Sequence, residues 1–398
     1  MLISRPHYMN FLEKFKDNEQ IKVITGIRRS GKTFIMKMFI DKLKKEDRIA
    51  PNNIISINFE SFAFRKIKDA DSLYQYVMDH KGKGKQYLFF DEIQHVNSWQ
   101  EAINAFRVDL DCDIYITGSN GSLLSGDLAT LLAGRYVELH VFPLSFKEYF
   151  TFHKGSPETA YNLFLDYVKD GGFPLVSLTN DEDVKQSIKQ GIIDSVILHD
   201  VIIRGNIRDE SAITKIVDYL MSEVGNTISL RKMANTMKSN GNPISIPTLS
   251  TYLSLLERAF IFYRARRYDL RGHKILNSKD KFYIVDTGLR NTFINKSPQD
   301  NFGHQLENIV YIELLNRGYQ VDIGQYDDKE IDFVARKGNE IIYYQVTLRL
   351  PDDSKRETDN LRFIPDGYKK VVLTLNMLDQ GMVDGIQVKY VVDWLLGK

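Results

Sequence analysis

The chain has 398 residues, of which 43% are hydrophobic and only 10 are proline, so we expect a globular protein of two or three domains. The formal net charge of +1 excludes a global field that attracts the whole protein to nucleic acid or to a membrane. The single cysteine, Cys112, excludes a disulfide framework and a cysteine-rich metal site. Because the N-terminus is too short and polar for a signal peptide and no apolar run has the length of a membrane span, we expect a soluble cytoplasmic protein.

The first strong motif lies at residues 26–33 and fits the P-loop pattern G-x-x-x-x-G-K-[ST]. Residues 21–25 before it predict a short buried strand, and residues 33–45 after it predict an amphipathic helix. A strand, a glycine-rich loop and a helix in this order form the structural context of a phosphate-binding loop. The sequence therefore predicts a nucleotide-binding site, rather than a glycine turn that happens to contain a lysine.

Each residue type in this octapeptide has a chemical role. Gly26 and Gly31 let the backbone bend around phosphates without a Cβ atom in the way. We expect Lys32 to contact the β- and γ-phosphates of a nucleotide, and Thr33 to offer its hydroxyl to Mg²⁺. The other predicted nucleotide-binding residues of the loop are Arg28, Arg29 and Ser30. For the two arginines, the competing interpretation is that their side chains are simply exposed to solvent.

The second motif is an apolar run at residues 87–92 that ends in two carboxylates, Asp91 and Glu92. A fully apolar strand indicates a parallel sheet that is covered on both faces. We expect Asp91 to hold Mg²⁺ and Glu92 to polarise the water that attacks the γ-phosphate. A solvated acidic turn is the alternative, but the preceding P-loop favours the catalytic interpretation.

A further predicted strand covers residues 113–120 and ends in small polar residues that include Ser119 and Asn120. In P-loop proteins with an added strand between the P-loop strand and the acidic strand, a polar group here contacts the γ-phosphate or the attacking water. We therefore predict this catalytic role for Ser119 or Asn120, with a simple turn as the alternative. Arg135 follows, and the sequence leaves open whether it reaches the γ-phosphate of a neighbouring subunit or forms a surface salt bridge.

Together, these segments resemble prokaryotic AAA-type ATPases. The residues that carry the resemblance are 26–33, 90–94 with Trp99, 117–120, 133–135, 143–148 and 171–174. The resemblance covers nearly the whole chain and implies a three-layer α/β P-loop domain that binds ATP and Mg²⁺ and hydrolyses the ATP. It also implies a C-terminal domain of unknown function related to the PD-(D/E)xK nuclease fold, and it names no substrate.

Residues 213–269 predict a winged helix-turn-helix. Its predicted elements are helices at 215–223, at 229–239 with Ser229 as the cap, and from Pro247 onwards, and a wing strand at 260–268. The third helix contains no Lys or Arg between residues 248 and 257, which argues against phosphate or guanine contacts from this helix itself.

The basic residues of this region are concentrated in the predicted wing. They are Arg264, Arg266, Arg267, Arg271, His273 and Lys274. Alternating arginines on a strand are typical of one solvated face. A structural or protein-docking role is therefore the favoured interpretation, and contact with DNA through the wing is the alternative.

Residues 276–398 predict an α/β domain whose elements follow the order of a PD-(D/E)xK nuclease core. Glu307 and Asp332 occupy two acidic positions, but Gln345 and Thr347 stand where an active nuclease of this type has Glu and Lys. Because the charge-stabilising lysine is missing, we expect little or no nuclease activity. In the structural interpretation of the two acids, Asp332 makes a strand-end hydrogen bond and Glu307 pairs with an arginine.

These observations predict an ATPase domain at residues 1–155, a helical and winged-helix region at 156–275 and a restriction-endonuclease-like domain at 276–398. The favoured function is an ATP-driven switch or motor that acts on a DNA or protein partner, as a homo-oligomer if Arg135 acts between subunits. An ATP-gated DNA nuclease and a signalling protein with little turnover are the alternatives.

Overall fold

The computed structural model describes residues 3–124, 132, 134–154, 158–294, 301–350 and 356–398. The chain divides into two compact units, one formed by Met1–Phe142 with Arg258–Phe260 and the other by Pro143–Glu257 with Ile261–Lys398. In the described ranges, no helix is both long and apolar enough to cross a membrane.

The first unit is built on a parallel sheet. Its strands are β1 (Ile21–Thr25), β2 (Ile54–Asn58), β3 (Gln86–Asp91), β4 (Cys112–Thr117) and β5 (Tyr136–His140). Its helices are α1 (Pro6–Lys14), α2 (Lys32–Lys45), α3 (Ala70–His80) and α4 (Trp99–Asp109). The strand order is β2-β3-β4-β1-β5, with parallel pairing throughout. β4 therefore lies between β1, which precedes the P-loop, and β3, which carries the acidic pair.

Both faces of this sheet are buried. Leu88 and Phe90 of β3 pack into one hydrophobic cluster, whereas Tyr87 and Phe89 pack into another. This two-sided burial explains why β3 is apolar without alternation. Because the carboxyl ends of parallel strands meet at one edge, the residues that follow β1, β3 and β4 converge there.

The second unit contains the remaining helices and a mixed sheet. Its helices are α5 (Phe146–Phe152), α6 (Ala160–Asp170), α7 (Pro174–Ser177), α8 (Glu182–Ser195), α9 (Glu210–Ser222), α10 (Leu230–Ser239), α11 (Ile246–Arg258), α12 (Thr287–Ile294), α13 (Phe302–Asn316), α14 (Arg356–Arg362) and α15 (Val391–Leu396), and a π-helical segment spans Val196–Ile203. Its strands are β6 (Thr227–Ile228), β7 (Phe262–Asp269), β8 (Lys274–Ile284), β9 (Gln320–Tyr326), β10 (Lys329–Lys337), β11 (Glu340–Thr347), β12 (Lys369–Thr374), β13 (Gly381–Val383) and β14 (Ile386–Tyr390).

The mixed sheet joins regions that the sequence assigns to separate domains. Its order is β13-β14-β12-β11-β10-β9-β7-β8-β6. The predicted boundary at residues 275 and 276 falls inside β8, which forms an antiparallel pair with β7. β7 also pairs in parallel with β9, so the predicted wing and the C-terminal strands form one sheet. The chain accordingly divides into two compact units rather than the three predicted domains.

The predicted helices of the middle region are present with small shifts in their bounds. α9 begins earlier than expected because Asp209 caps it by accepting a hydrogen bond from the Ala212 N–H at 3.0 Å. Ser229 caps α10, as expected, and accepts from the Lys232 N–H at 3.1 Å. β6 pairs with β8, and β8 pairs with β7. The name winged helix for this arrangement stays a prediction.

Candidate functional site

The loop between β1 and α2 has a backbone that requires glycine at its first position. Gly26 has a φ of +136°, and a Cβ atom there would lie 2.2 Å from the carbonyl oxygen of Val141. Gly31 has a φ of +104° immediately before α2 begins. These angles turn the chain from the strand into the helix within one short loop, so that the N-terminus of α2 follows the loop directly.

Lys32 is buried inside this loop, with only 5% of its surface exposed. Its Nζ donates hydrogen bonds to the carbonyl oxygens of Gly26 at 2.9 Å and Ile27 at 3.2 Å. The same Nζ lies 3.8 Å from Glu92 Oε1. The P-loop and the acidic strand end therefore meet around one lysine charge, as their sequences predict.

Asp91 is held by side chains from three other elements. Its Oδ2 accepts hydrogen bonds from Thr33 Oγ1 and Asn58 Nδ2, both at 2.8 Å, and its Oδ1 accepts from Thr117 Oγ1 at 2.6 Å. Burial raises the pKa of Asp91, although the hydrogen bonds from Thr117 and Thr33 oppose that change. The carboxylate is thus fixed in orientation beside the threonine that ends the P-loop motif.

Glu92 has a different environment from its neighbour. Its backbone is left-handed, with a φ of +55°, and its N–H donates to Thr117 Oγ1 at 2.8 Å. Burial would raise the pKa of Glu92, but the charge of Lys32 and the hydrogen bond from Gln94 together lower it. The side chain is therefore ionised at neutral pH and able to accept a proton.

The residues predicted to sense the γ-phosphate lie beside Glu92. Ser119 and Asn120 follow β4 and are buried. The Ser119 side chain forms a hydrogen bond to Glu92 that helps to lower the pKa of Glu92. The structure therefore brings Ser119 to the acidic pair, and it places Asn120 at the same strand end.

The three arginines predicted to belong to the site do not lie together. Arg28 is half-buried and lies 3.5 Å from Glu60, measured from Nη1 to Oε1, whereas Arg29 is exposed with a φ of +64°. Arg135 is exposed at the start of β5, where its carbonyl oxygen accepts from the Ile21 N–H at 2.9 Å. Its Nη1 donates to Asn104 Oδ1 at 3.4 Å.

Arg135 is consequently at the opposite edge of the sheet from the P-loop. Ile21 begins β1 and the P-loop follows its last residue, so roughly 16 Å of strand separates the two edges. Within one chain, Arg135 does not join the site. Its role in a neighbouring subunit stays a prediction, and Ala133 of the same motif lies outside the described residues.

Sequence reasoning missed several residues that support the site. Asn58 ends β2 and contacts Asp91, and Gln94 donates to Glu92. Arg5 donates to the carbonyl oxygens of Ser30 at 2.9 Å and Phe142 at 3.0 Å, which holds the P-loop backbone. A polar residue at the end of an apolar strand was the available signal for Asn58. Arg5 gave none, because its contacts depend on tertiary structure.

His140 forms a further contact that the sequence did not predict, with the last residue of the strand before the P-loop. Its Nδ1 lies 2.9 Å from Thr25 Oγ1, and that hydroxyl donates to Glu138 Oε1 at 2.6 Å. Since a hydroxyl has one proton to give, Nδ1 of His140 is the donor in its own contact. Burial and the charge of Lys32 lower the pKa of His140 to about 3, so the ring is neutral at physiological pH.

The residues of this site fit a nucleotide that is bound together with Mg²⁺. The Ser30 hydroxyl is buried and has no hydrogen-bond partner among the described residues, so it can donate to a phosphate oxygen. Gly26 leaves a concave backbone that a Cβ atom would fill. Thr33 and Asp91 supply oxygen atoms, which Mg²⁺ prefers, and Mg²⁺ sites commonly use one or two protein ligands with substrate phosphates.

The acids of the C-terminal region have intramolecular partners. Glu307 Oε1 accepts hydrogen bonds from Lys281 Nζ at 2.9 Å and from the Tyr283 hydroxyl. Asp332 Oδ2 accepts from the Val346 N–H at 2.7 Å. These contacts favour the structural interpretation of both acids, and the cation that pairs with Glu307 is a lysine where we expected an arginine.

Three of the four arginines of the predicted wing are also paired. Arg264 Nε lies 2.8 Å from Asp280 Oδ2, and Arg271 Nη1 lies 2.7 Å from Asp327 Oδ1. Arg267 contacts Glu330. Carboxylates of the same unit therefore neutralise much of the charge that the sequence places in the wing.

Two stretches of the chain match known protein families, and two relatives match over most of its length. Residues 18–150 match an AAA domain family, AAA_14, and residues 161–300 match a domain of unknown function, DUF8612. An uncharacterised protein of Haemophilus influenzae is 45% identical over 399 residues, with 99% of each chain covered. An uncharacterised protein of Methanocaldococcus jannaschii is 31% identical, with 81% of this chain and 71% of the relative covered.

Among solved structures, the Walker-type ATPase PABY2304 of Pyrococcus abyssi is similar in fold. The match covers 73% of this chain and 95% of that one, with a TM-score of 0.54 and 15% identity, which shows a shared fold alone. Together with the AAA match, it confirms the predicted α/β fold with an AAA-type domain. The winged-helix and nuclease-like assignments and the roles of the site residues stay predictions.

Proposed function

The chain belongs to the same family as these Haemophilus influenzae and Methanocaldococcus jannaschii proteins, and we propose that its AAA domain binds ATP with Mg²⁺ and hydrolyses the ATP. The observation that carries the proposal is the 2.8 Å hydrogen bond between Thr33 Oγ1 and Asp91 Oδ2. It joins two oxygen ligands from separate motifs at the point where the P-loop meets its helix. Thr33 and Asp91 are therefore the proposed Mg²⁺ ligands.

Substrate binding uses the P-loop. Mg²⁺, when bound, neutralises charge on the β- and γ-phosphates. Lys32 adds a buried positive charge, and the loop N–H groups and the Ser30 hydroxyl donate hydrogen bonds to phosphate oxygens. Gly26 and Gly31 keep the space open, and Arg28 and Arg29 stay candidates for outer phosphate contacts.

Hydrolysis uses Glu92 as the general base. The ionised carboxylate accepts a proton from water while the water oxygen attacks the γ-phosphorus. The bond from that phosphorus to the bridging oxygen breaks, which releases ADP and inorganic phosphate. Ser119 positions Glu92 through their hydrogen bond, and Asn120 provides a second polar group at the same strand end.

In this proposal, the second unit transmits the nucleotide state of the AAA domain to a partner. We place a winged helix in α9–α11 with β6–β8 and a PD-(D/E)xK-like fold in the C-terminal strands. The pairing of Glu307 with Lys281 and of Asp332 with a backbone N–H supports a non-catalytic role for that fold. The protein is then an ATP-dependent switch or motor in the cytoplasm, and it forms homo-oligomers if Arg135 acts between subunits.

Nucleotide binding is tested by calorimetric titration of ATP in the presence of Mg²⁺. We expect Lys32→Ala to weaken binding at least tenfold, because it removes a buried charge from the phosphate site. Lys37→Ala, at an exposed position of the same helix, is the matched control and leaves the affinity unchanged. Undiminished ATP affinity in Lys32→Ala would mean that the site lies elsewhere.

A further inference from the structure

The segment between Glu223 and Glu257 contains no acidic residue. At the average density of the chain, which has 52 Asp and Glu in 398 residues, about four are expected in residues 224–256. The segment includes α10, α11 and the turn between them. Its charged residues are therefore all cationic.

The cations of this segment lie on one exposed helix surface. Arg231, Lys232 and Lys238 of α10 are exposed, whereas Met233 and Met237 of the same helix are buried. Among the residues that the structure describes, none of these three cations forms an ion pair with a carboxylate.

The wing differs, since Arg264, Arg267 and Arg271 are each paired with an acid. The positive charge of α10 is therefore not neutralised by carboxylates, whereas most of the arginine charge of the wing is.

The rest of this surface is rich in hydroxyl and amide groups. Ser229, Arg231, Lys232, Asn235, Thr236 and Ser239 line an open depression along α10. Ser245, Thr248, Ser250 and Thr251 are exposed around the start of α11. Hydroxyl and amide side chains are common donors to phosphate oxygens in protein–DNA interfaces.

We propose that the exposed surface of α10 and the first half of α11 binds duplex DNA, mainly through its phosphate backbone. This proposal deepens the proposed function, because it names duplex DNA as the partner of the ATPase. Only the link between DNA binding and ATP rests on the proposed function. Three unpaired cations, many neutral donors and the absence of acids between residues 224 and 256 make this surface complementary to a phosphate backbone.

Duplex DNA fits this surface better than RNA or a membrane. A helix about 10–12 Å across fits the major groove of B-DNA, which is about 12 Å wide, whereas the major groove of A-form RNA is too narrow. Within residues 224–256, all of which the structure describes, Ile246 is the one exposed large hydrophobic side chain, so the surface lacks an apolar face for a bilayer. Since α11 contributes no Arg or Lys before Arg258, we expect little sequence preference.

The test is fluorescence anisotropy of a labelled DNA duplex with the full chain over a series of salt concentrations. With three phosphate contacts, we expect the logarithm of the association constant to fall with the logarithm of salt with a slope of about −2.7. The triple variant Arg231→Gln, Lys232→Gln and Lys238→Gln is expected to lose at least tenfold in affinity at low salt. Lys238→Gln alone is expected to reduce the slope by about 0.9.

A charge-matched control separates this surface from general electrostatics. The variant Lys66→Gln, Lys68→Gln and Lys81→Gln changes three exposed lysines of the first unit and should bind DNA like the wild type. Equal weakening by both triple variants, no DNA binding by the wild type at low salt, or tighter binding to duplex RNA or anionic vesicles would overturn the proposal. Wild-type circular dichroism and melting temperature establish that each variant is folded.

Parallel ATP titrations keep the two proposals distinguishable. The triple variant of α10 should keep wild-type ATP affinity, and Lys32→Ala should keep DNA affinity at low salt. If ATP does not bind but DNA binding follows the pattern above, the DNA surface stands and the ATPase proposal fails. The reverse result leaves the ATPase proposal standing and removes the DNA surface.

Discussion

Asp91 and Glu92 are neighbours in the chain, but their pKa values move in opposite directions. Burial raises the pKa of Asp91, whereas burial of Glu92 is outweighed by the charge of Lys32 and the Gln94 hydrogen bond. The difference arises because Glu92 turns away from the strand in a left-handed conformation. Two adjacent carboxylates can therefore have separate roles, one beside Thr33 for the metal and one beside Lys32 for the proton.

The orphaned hydroxyl of Ser30 gives a prediction about binding and stability together. A buried polar group without a partner costs about 1–3 kcal/mol, so we expect Ser30→Ala to leave the nucleotide-free protein at least as stable as the wild type. The loss of one phosphate hydrogen bond should weaken ATP binding about two- to tenfold. Denaturant unfolding and calorimetry measure the two effects. Ser222→Ala, at an exposed position, is the control, and unchanged ATP affinity in Ser30→Ala would contradict the assignment.

The raised pKa of Asp91 predicts a pH-dependent contribution to stability. Because the folded state binds this proton more tightly than the unfolded state, the contribution is fully present below the unfolded pKa and is lost as pH rises through the folded pKa. The unfolding free energy of the wild type minus that of Asp91→Asn should therefore decrease as pH rises from about 3 to 7. Urea titrations at several pH values measure it, with the exposed Asp41→Asn as control. A difference that increases with pH would contradict this account.

At the scale of single elements, β1 contains a charged lysine although the whole strand is buried. Lys22 has no exposed surface, and its Nζ pairs with the equally buried Asp113 on the neighbouring strand β4. Asp113 Oδ2 also accepts from the Tyr115 hydroxyl at 2.8 Å. The pair explains how a lysine can occupy the middle of a buried strand.

Removal of this lysine should destabilise the sheet. Lys22→Met leaves the Asp113 carboxylate buried without its cation, and breaking a buried pair in this way costs about 3–5 kcal/mol. Chemical denaturation compares the variant with the wild type. Lys44→Met, an exposed lysine on α2, should change stability by less than about 0.5 kcal/mol. A loss below about 1 kcal/mol in Lys22→Met would show that the pair is not important for stability.

Elements with strong local signals could be predicted from the sequence. β1, α2 and β3 follow from the glycine loop, the apolar run and the helical pattern, and Ser229 marks the start of α10. Asn58 could not be placed beside Asp91, because their contact depends on which strands are neighbours. The same limitation applies to the pairing of β7 with β9, which merges two predicted domains into one sheet.

At the scale of the whole molecule, the position of Arg135 bears on whether subunits share the ATP site. Arg135 lies at the far edge of its own sheet, so it can contribute only to the site of another subunit. If it does, Arg135→Ala should keep ATP affinity and lose roughly 10³-fold or more in turnover. Mixing Arg135→Ala with Glu92→Gln subunits should then restore part of the activity. Full turnover by Arg135→Ala would assign it a surface role, and the exposed Arg208→Ala is the control.

In the proposed reaction, this chain hydrolyses ATP with Glu92 as the base. The most direct measurement is steady-state phosphate release by the wild type and by Glu92→Gln, with ATP binding measured on the same samples. We predict that Glu92→Gln binds ATP as the wild type does but turns it over about 10²–10⁴ times more slowly. A wild type that is as slow as Glu92→Gln, while still binding ATP, would contradict the claim.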